Sequence, residues 1–259
     1  MLKMLRADFY KIFKSKVLLV LLIVVFCCVI VNPLFLLDDR RVSNLSVYRN
    51  LESSSMLRGY MWIFVVPFVA KDLSSGFIKN IFPSYSNTDK AYYILSKLFY
   101  IFALCLLYFI LDFIVNIIFT AAANPEDWMM YNPERDDFTV GFFYFRYIAQ
   151  LMNAVAIGSL LMLLCVLIKR EYIVLIIVLP YMFLLGPMLY DFINDTVALL
   201  AEKMHLEIDR FDIDPYTVFG GFNILSNRKS YTVIPFVLGI CYTIVFTLLS
   251  YVAVRRRNY

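Results

Sequence analysis

Long apolar runs separated by short polar stretches dominate the pattern of this chain. The runs occupy residues 17–37, 57–70, 98–121, 142–168, 172–190 and 232–254. A helix needs about 20 apolar residues to cross a bilayer core of roughly 30 Å. The run at 57–70 covers only about 21 Å as a helix, so it would have to thin the bilayer locally or extend into its flanks. The pattern predicts an all-α polytopic membrane protein with six transmembrane helices, which form a single domain over residues 1–259.

The composition excludes an ordinary soluble protein. Hydrophobic residues make up 62% of the chain and charged residues 17%, whereas soluble domains have roughly 45–50% and about 25%. The cysteines all lie inside apolar runs and are typical of small buried hydrophobic residues rather than of a disulfide set or a metal site. They are Cys27, Cys28, Cys105, Cys165 and Cys241.

The distribution of charge predicts the orientation. With both termini in the cytoplasm, the inner segments carry 14 Lys and Arg residues against 4 acidic ones. The remaining 10 Lys and Arg residues, of which Arg58 and Arg146 lie within predicted spans, stand against 15 acidic residues in the outer segments. Because an excess of Lys and Arg marks the cytoplasmic side, we expect a multi-pass protein of the plasma membrane. Residues 191–231 then form a large extracytoplasmic loop, and the first half of this loop is spaced like an amphipathic helix.

Two segments outside the predicted spans have helical amphipathic spacing. Residues 2–16 combine apolar positions with lysines and are typical of a basic helix in the inner membrane interface. After the second span, residues 75–82 present Phe77, Ile78, Ile81 and Phe82 as one stripe. So short a helix is not stable alone, so we expect it to occupy a groove in this chain or in a partner. Ser86 to Asp89 has the spacing of a helix N-terminal cap before the third span.

Five polar residues interrupt the third and fourth spans. They are Asp112, Asn116, Arg146, Gln150 and Asn153. Residues four apart share one face of a helix, and we expect Asp112 to lie near the depth of Gln150. One interpretation is a polar patch on a transport route or a subunit seam. The other, which we favour, is hydrogen bonding that holds the helices together.

The sequence lacks the motifs of several enzyme classes. Its only histidine, His205, lies in an outer loop and belongs to no H-E-x-x-H motif. None of the glycines precedes a lysine as a G-K-[ST] phosphate loop requires. We therefore expect no catalytic residue, bound cofactor or metal site in this chain and no nucleic-acid partner.

The basic start and the loop after the second span together resemble the short six-helix permease subunits of bacterial ATP-binding-cassette exporters, the type-two permease family. Residues 1–16 are similar to that family's basic interfacial helix. Asp72, followed by Ser75-Gly76-Phe77-Ile78-Lys79-Asn80, resembles its acidic-then-glycine signature, although many members of that family have Glu in place of Asp72. The resemblance covers the whole chain as architecture, and it is specific over residues 1–37 and 59–99.

The resemblance implies a transport subunit that is not itself an enzyme. A separate cytosolic ATPase would bind ATP and Mg²⁺, and a second permease chain, in a homodimer, would complete the transporter. Residues 75–82 would be the coupling helix in a groove of the ATPase. The ATPase-coupling residues would be Asp72, Ser75, Gly76, Phe77, Ile78, Lys79, Ile81 and Phe82. The expected cargo is an amphipathic or antimicrobial peptide, moved for export or self-immunity, with lipid, drug or glycan open. A membrane scaffold or sensor that recruits a cytosolic partner is the alternative, and an intramembrane enzyme is a third class.

Overall fold

Four long helices make up most of the structure, which is a computed structural model. The structure describes residues 85–123, 140–168, 186–204, 216–219 and 233–256, with the single positions Tyr10, Lys14, Lys16, Ile23, Cys27, Ile173, Val174, Ile176, Ile177 and Ile213. The helices are α1 (Asn87–Ala123), α2 (Val140–Ile168), α3 (Gly186–Lys203) and α4 (Val233–Arg256). Across these described residues the regular structure is entirely helical, as the sequence predicts.

Three of these helices are long and apolar enough to cross a membrane. They are Asn87–Ala122, Tyr144–Ile168 and Val233–Arg256. The predicted spans 98–121, 142–168 and 232–254 fall within or almost within α1, α2 and α4. These helices indicate an integral membrane protein. The predicted span 57–70 and most of the predicted spans 17–37 and 172–190 lie outside the described residues.

Helix α1 begins at a capping box. The backbone N–H of Asp89 donates to Ser86 Oγ at 3.2 Å, and the backbone N–H of Ser86 donates to Asp89 Oδ2 at 3.1 Å. This reciprocal pair satisfies donors that a helix start otherwise leaves without acceptors, and it confirms the cap expected at this position. From here α1 continues for 37 residues, or about 55 Å.

Removing this cap should fray the start of α1. The Ser86→Ala variant loses the acceptor for the Asp89 N–H, and such a loss typically costs about 1 kcal/mol of helix stability. We expect faster hydrogen exchange over residues 87–91 in a detergent-purified sample, with the Asn87→Ala variant as the control. Equal exchange in the two variants would contradict the role of Ser86.

Helices α1 and α2 run in opposite directions. The ring centroids of Phe109 and Tyr147 are 5.0 Å apart, and those of Phe113 and Tyr144 are 6.5 Å apart. Residue numbers therefore rise along α1 in the direction in which they fall along α2, so the two helices are antiparallel. A short connection between two consecutive spans requires this arrangement.

Helices α2 and α4 run in the same direction. Asn153 Nδ2 donates to the Pro235 carbonyl at 2.9 Å, and the rings of Phe145 and Phe236 are 5.4 Å apart. The first half of α2 therefore lies beside the first turns of α4. If α4 ran in the opposite direction, Val254 would lie beyond the start of α2 and would be exposed. Val254 is instead 0% exposed. The last turns of α2 and α4 thus lie near the first turns of α1.

Helix α2 is the most buried of the three long helices; it packs most extensively against α4, and α1 contacts both. Small residues let α4 approach it closely, with Gly239, Thr247 and Ser250 buried along one face. The hydroxyls of Thr247 and Ser250 donate to carbonyls of their own helix, at 2.6 Å and 2.7 Å. The interface can therefore bury these hydroxyls without leaving them unsatisfied.

Candidate functional site

The five polar residues predicted inside the third and fourth spans are all buried. Their exposed fractions are 7% or less. Asp112 and Asn116 lie on α1, and Arg146, Gln150 and Asn153 lie on α2. Buried polar side chains at membrane depth are costly, so each is expected to have a structural or functional reason.

Asp112 and Asn116 form the α1 part of this site. The Asn116 amide nitrogen donates to Asp112 Oδ1 at 3.0 Å and to the Asp112 carbonyl at 2.7 Å. One turn further on, the Thr120 hydroxyl donates to the Asn116 carbonyl at 2.7 Å. The i, i+4 spacing read from the sequence thus brings a carboxylate and an amide into direct contact.

Tyr147 connects this pair to α2. Its hydroxyl donates to the Phe109 carbonyl at 2.7 Å and lies 3.5 Å from Asp112 Oδ2. Aromatic residues at the end of a span are typical of the membrane interface, so the sequence does not indicate this role of Tyr147. Asp112 therefore lies between the levels of Tyr144 and Tyr147, nearer the start of α2 than the expected position beside Gln150.

Asn153 connects α2 to α4 on the other side of the bundle. Its Nδ2 donates to the Ala149 carbonyl of its own helix and to the Pro235 carbonyl of α4, both at 2.9 Å. A Cβ added to Gly239 would lie 3.2 Å from the backbone nitrogen of Asn153. A glycine is thus what allows α4 to come this close.

Asn116 and Asn153 each keep one buried oxygen available. The Oδ1 atoms of both residues accept no hydrogen bond from the described part of the chain. A buried acceptor without a donor is costly. A hydrogen bond from a further N–H or O–H donor to either oxygen would therefore be favourable. The seam formed by Asp112, Asn116, Tyr147 and Asn153 can therefore bind helices together and can also contact a polar group between them.

Lys97 lies deeper in the bundle than its position in the sequence suggests. It is counted with the inner loop, but it lies in the third turn of α1 and is 1% exposed. Its ammonium nitrogen is 5.4 Å from the centre of the Tyr93 ring. Because α1 and α2 are antiparallel with Phe109 opposite Tyr147, Lys97 lies at about the level of Ser159, in the interior of the bundle.

The predicted ATPase-coupling residues, Asp72 to Phe82, lie outside the described residues. So do residues 2–16 except for Tyr10, Lys14 and Lys16, which are helical. Lys14 Nζ donates to the Tyr10 hydroxyl at 2.9 Å and lies 5.2 Å from the centre of its ring. This contact is one that a helix provides between residues four apart.

In the predicted outer loop, α3 extends through residues 191–203. Asn194 and Val197 are half-buried there, while Phe192 and Leu200 are exposed.

The described portions of the chain contain no group of three or more His, Cys, Asp or Glu side chains placed to hold a metal ion.

No family model and no curated protein matches this sequence.

The contact between Tyr147 and α1 should contribute modestly to stability. The Tyr147→Phe variant removes the hydrogen bond to the Phe109 carbonyl and keeps the ring. Hydrogen bonds between membrane helices are worth about 1 kcal/mol or less, so we expect thermal unfolding in detergent a few degrees lower. The Tyr92→Phe variant, with its ring on the exposed face of α1, is the control and should unfold like the unchanged protein.

The Asp112→Asn variant separates the two interpretations of the polar seam. Asparagine keeps the shape and the contact with Asn116 and removes the carboxylate. If the seam only holds helices together, folding and transport both stay close to those of the unchanged protein. If Asp112 lies on a transport route, we expect normal folding with transport reduced at least about tenfold, since a lost charge-assisted contact is worth roughly 1.5–3 kcal/mol.

Proposed function

We propose that this chain is the membrane permease subunit of an exporter of the ATP-binding-cassette class. In this proposal a separate cytosolic ATPase hydrolyses ATP, and this chain converts the motion of the ATPase into outward transport across the plasma membrane. Two copies of the chain form the transport unit. The cargo class is an amphipathic or antimicrobial peptide.

The observation that carries the proposal is the continuity of α1. This single helix begins at Asn87, five residues after the proposed coupling segment 75–82, and ends at Ala123. The capping box fixes its first turn. A rigid helix of this length transmits a displacement at one end to Asp112 and to the contact with Tyr147. The coupling segment would therefore act on the polar seam through one helix.

The directions of the helices support the proposed topology. The start of α1 and the ends of α2 and α4 lie near one another, and the sequence places Lys90, Lys169-Arg170 and Arg255 to Arg257 at these ends. Basic residues at one end of a bundle are typical of the cytoplasmic side. The shared direction of α2 and α4 is what the proposed order of spans requires, with a fifth span at 172–190 between them.

Motion would then proceed by displacement of packed helices. ATP-driven closure of the two ATPase subunits would move residues 75–82, and α1 would shift against α2 at Phe109 and Tyr147. Shear between packed helices is an established form of such transitions. The close α2–α4 contact at Gly239 would keep these two helices together while α1 moves.

Co-purification tests the proposal. We expect the tagged chain, extracted from its native membrane in mild detergent, to retain a stoichiometric soluble protein that carries a G-x-x-x-x-G-K-[ST] motif and hydrolyses ATP. A retained partner without a nucleotide site would instead support the scaffold or sensor. Recovery of the folded chain with no partner at any extraction condition would contradict the proposal.

A further inference from the structure

Helix α3 has three different faces, and the first of them packs against the rest of the chain. Tyr190 and Ala201 are each 8% exposed, and Val197 between them is half-buried. These residues recur at the spacing of one helix face. On the same side, Oδ1 of the half-buried Asn194 accepts a hydrogen bond from the Ile213 N–H at 3.0 Å. This face is therefore occupied by the chain itself.

The second face of α3 is acidic. Asp191, Asp195 and Glu202 are all exposed and recur at i, i+4 and i+11, which places them in one stripe along the helix. Ionised carboxylates are costly to remove from water. One side of α3 therefore faces water over most of its length.

The third face of α3 is apolar and equally exposed. Met188, Phe192 and Leu199 recur at the same spacing of i, i+4 and i+11 and are 67%, 68% and 59% exposed. Leu189 and Leu200, which are also exposed, extend this stripe on the side away from the acidic one. A continuous exposed apolar surface of this kind is typical of a site that contacts a membrane or another protein.

The two polar side chains beside the apolar stripe are compatible with lipid. The Thr196 hydroxyl donates to the Phe192 carbonyl at 2.7 Å, so its donor is satisfied within the helix. Lys203 lies in the last turn, where a long apolar stem allows the ammonium group of a lysine to reach water.

The parallel course of the two exposed stripes indicates how α3 lies. A helix that crossed the membrane surface end-on would be surrounded by lipid at one depth and by water at another. In α3, acidic and apolar positions instead lie side by side from the first turns to the last, so the boundary between water and an apolar phase runs along the helix axis. Nor is α3 among the described helices that are long and apolar enough to span a membrane.

The chain that leads into α3 favours lipid as the apolar phase. Ile176 and Ile177 are helical, exposed and part of the predicted fifth span. The apolar stripe begins at Met188, eleven residues after Ile177, and continues the surface that this span would present to lipid.

We propose that α3 is an amphipathic helix that lies along the surface of the bilayer. Its apolar stripe is buried among the acyl chains next to the headgroups, its acidic stripe faces water, and its third face packs on the chain. The contact with lipid stands on these three faces and is independent of the proposed function. Only the assignment of α3 to the outer side rests on that function.

The accessibility of nitroxide spin labels tests this placement. In the full chain with its native cysteines replaced, single labelled cysteines are compared in phosphatidylcholine liposomes, with oxygen as the lipid-phase relaxant and a nickel chelate as the aqueous one. We expect the labels of Phe192→Cys and Leu199→Cys to be relaxed mainly by oxygen and to lie at equal depth. The labels of Asp195→Cys and Glu202→Cys should be relaxed mainly by nickel. These positions are all exposed, so the labels should not disturb folding.

The Ile110→Cys variant is the control for a label in lipid, because Ile110 is 47% exposed in the middle of the predicted third span. A depth difference of about 10 Å between the labels at 192 and 199 would mean that α3 stands along the membrane normal, and it would refute the proposal. Nickel relaxation as strong at these two positions as at 195 and 202 would place the apolar stripe in water, with the same consequence. Shielding of both labels from both relaxants, with spin–spin broadening, would identify a second copy of the chain as the occupant instead of lipid.

Discussion

Replacing Gly239 with valine is expected to disrupt the contact between α2 and α4. A Cβ at this position would lie 3.2 Å from Asn153 N and from Met152 C, and both of these are backbone atoms that no side-chain rotation can move away. The two extra methyl groups of valine would force α4 outward along the close part of the interface. Overpacking of this kind costs about 3 kcal/mol or more when the backbone has to move.

The measurement is thermal unfolding in detergent, together with the monodisperse fraction on size-exclusion chromatography. The Val237→Leu variant enlarges a neighbouring residue that is 50% exposed, and it should behave like the unchanged protein. The Gly239→Ala variant should lie between the two, because a single Cβ needs a shift of only a few tenths of an ångström. Equal stability of Gly239→Val and Val237→Leu would mean that α4 does not pack against Asn153 as described.

Removing the aromatic stripe of residues 75–82 should abolish retention of the ATPase. Buried aromatic residues at the centre of an interface typically contribute at least about 2 kcal/mol each. The double variant Phe77→Ala, Phe82→Ala should therefore weaken the complex by a factor of roughly 100 or more and lose the ATPase during purification. The chain itself should fold normally, because the stripe is expected to contact the partner.

A matched control uses a phenylalanine on the exposed face of α1. Phe99 is 48% exposed, so Phe99→Ala removes one of the two rings' worth of apolar area and leaves the coupling segment unchanged. This variant should retain the ATPase at the level of the unchanged protein. If both variants retain it equally, residues 75–82 are not the coupling helix, and the resemblance would have misassigned that segment.

Local features of the structure could be predicted from the sequence because they depend on residues close together in the chain. The capping box at Ser86 and Asp89 follows from a three-residue spacing, and the Asp112–Asn116 contact follows from the four-residue repeat of a helix. The apolar runs likewise gave the positions of α1, α2 and α4 to within a few residues, apart from the eleven-residue extension at the start of α1.

The features that were missed depend on how distant segments pack. Tyr147 reaches Phe109 and Asp112 only in the register that α1 and α2 adopt, and an aromatic residue at the end of a span gives no sign of this. Lys97 lies at the edge of an apolar run, where a lysine usually marks the interface, and only the packing shows that it is inside. The hydrogen bond from the Tyr242 hydroxyl to the Tyr216 carbonyl joins residues that are 26 apart in the chain, and no local spacing indicates it.

These three cases have a common physical cause. A polar group is tolerated in a packed bundle when a neighbouring residue satisfies it, as Phe109 does for the Tyr147 hydroxyl, Tyr93 for Lys97 and Tyr242 for the Tyr216 carbonyl. Hydropathy describes each residue alone and cannot register that partner. The parts of the candidate site that join helices were therefore visible only in the structure.

ATP hydrolysis in liposomes tests most directly whether this chain is a transport subunit driven by a separate ATPase. It is measured for the chain alone and for the chain with its co-purified partner. We expect no hydrolysis above background from the chain alone. Hydrolysis should appear only when the partner is bound through residues 75–82. Hydrolysis by the isolated, homogeneous chain would contradict it, as would a complex whose hydrolysis is unchanged by the double Phe77→Ala, Phe82→Ala variant.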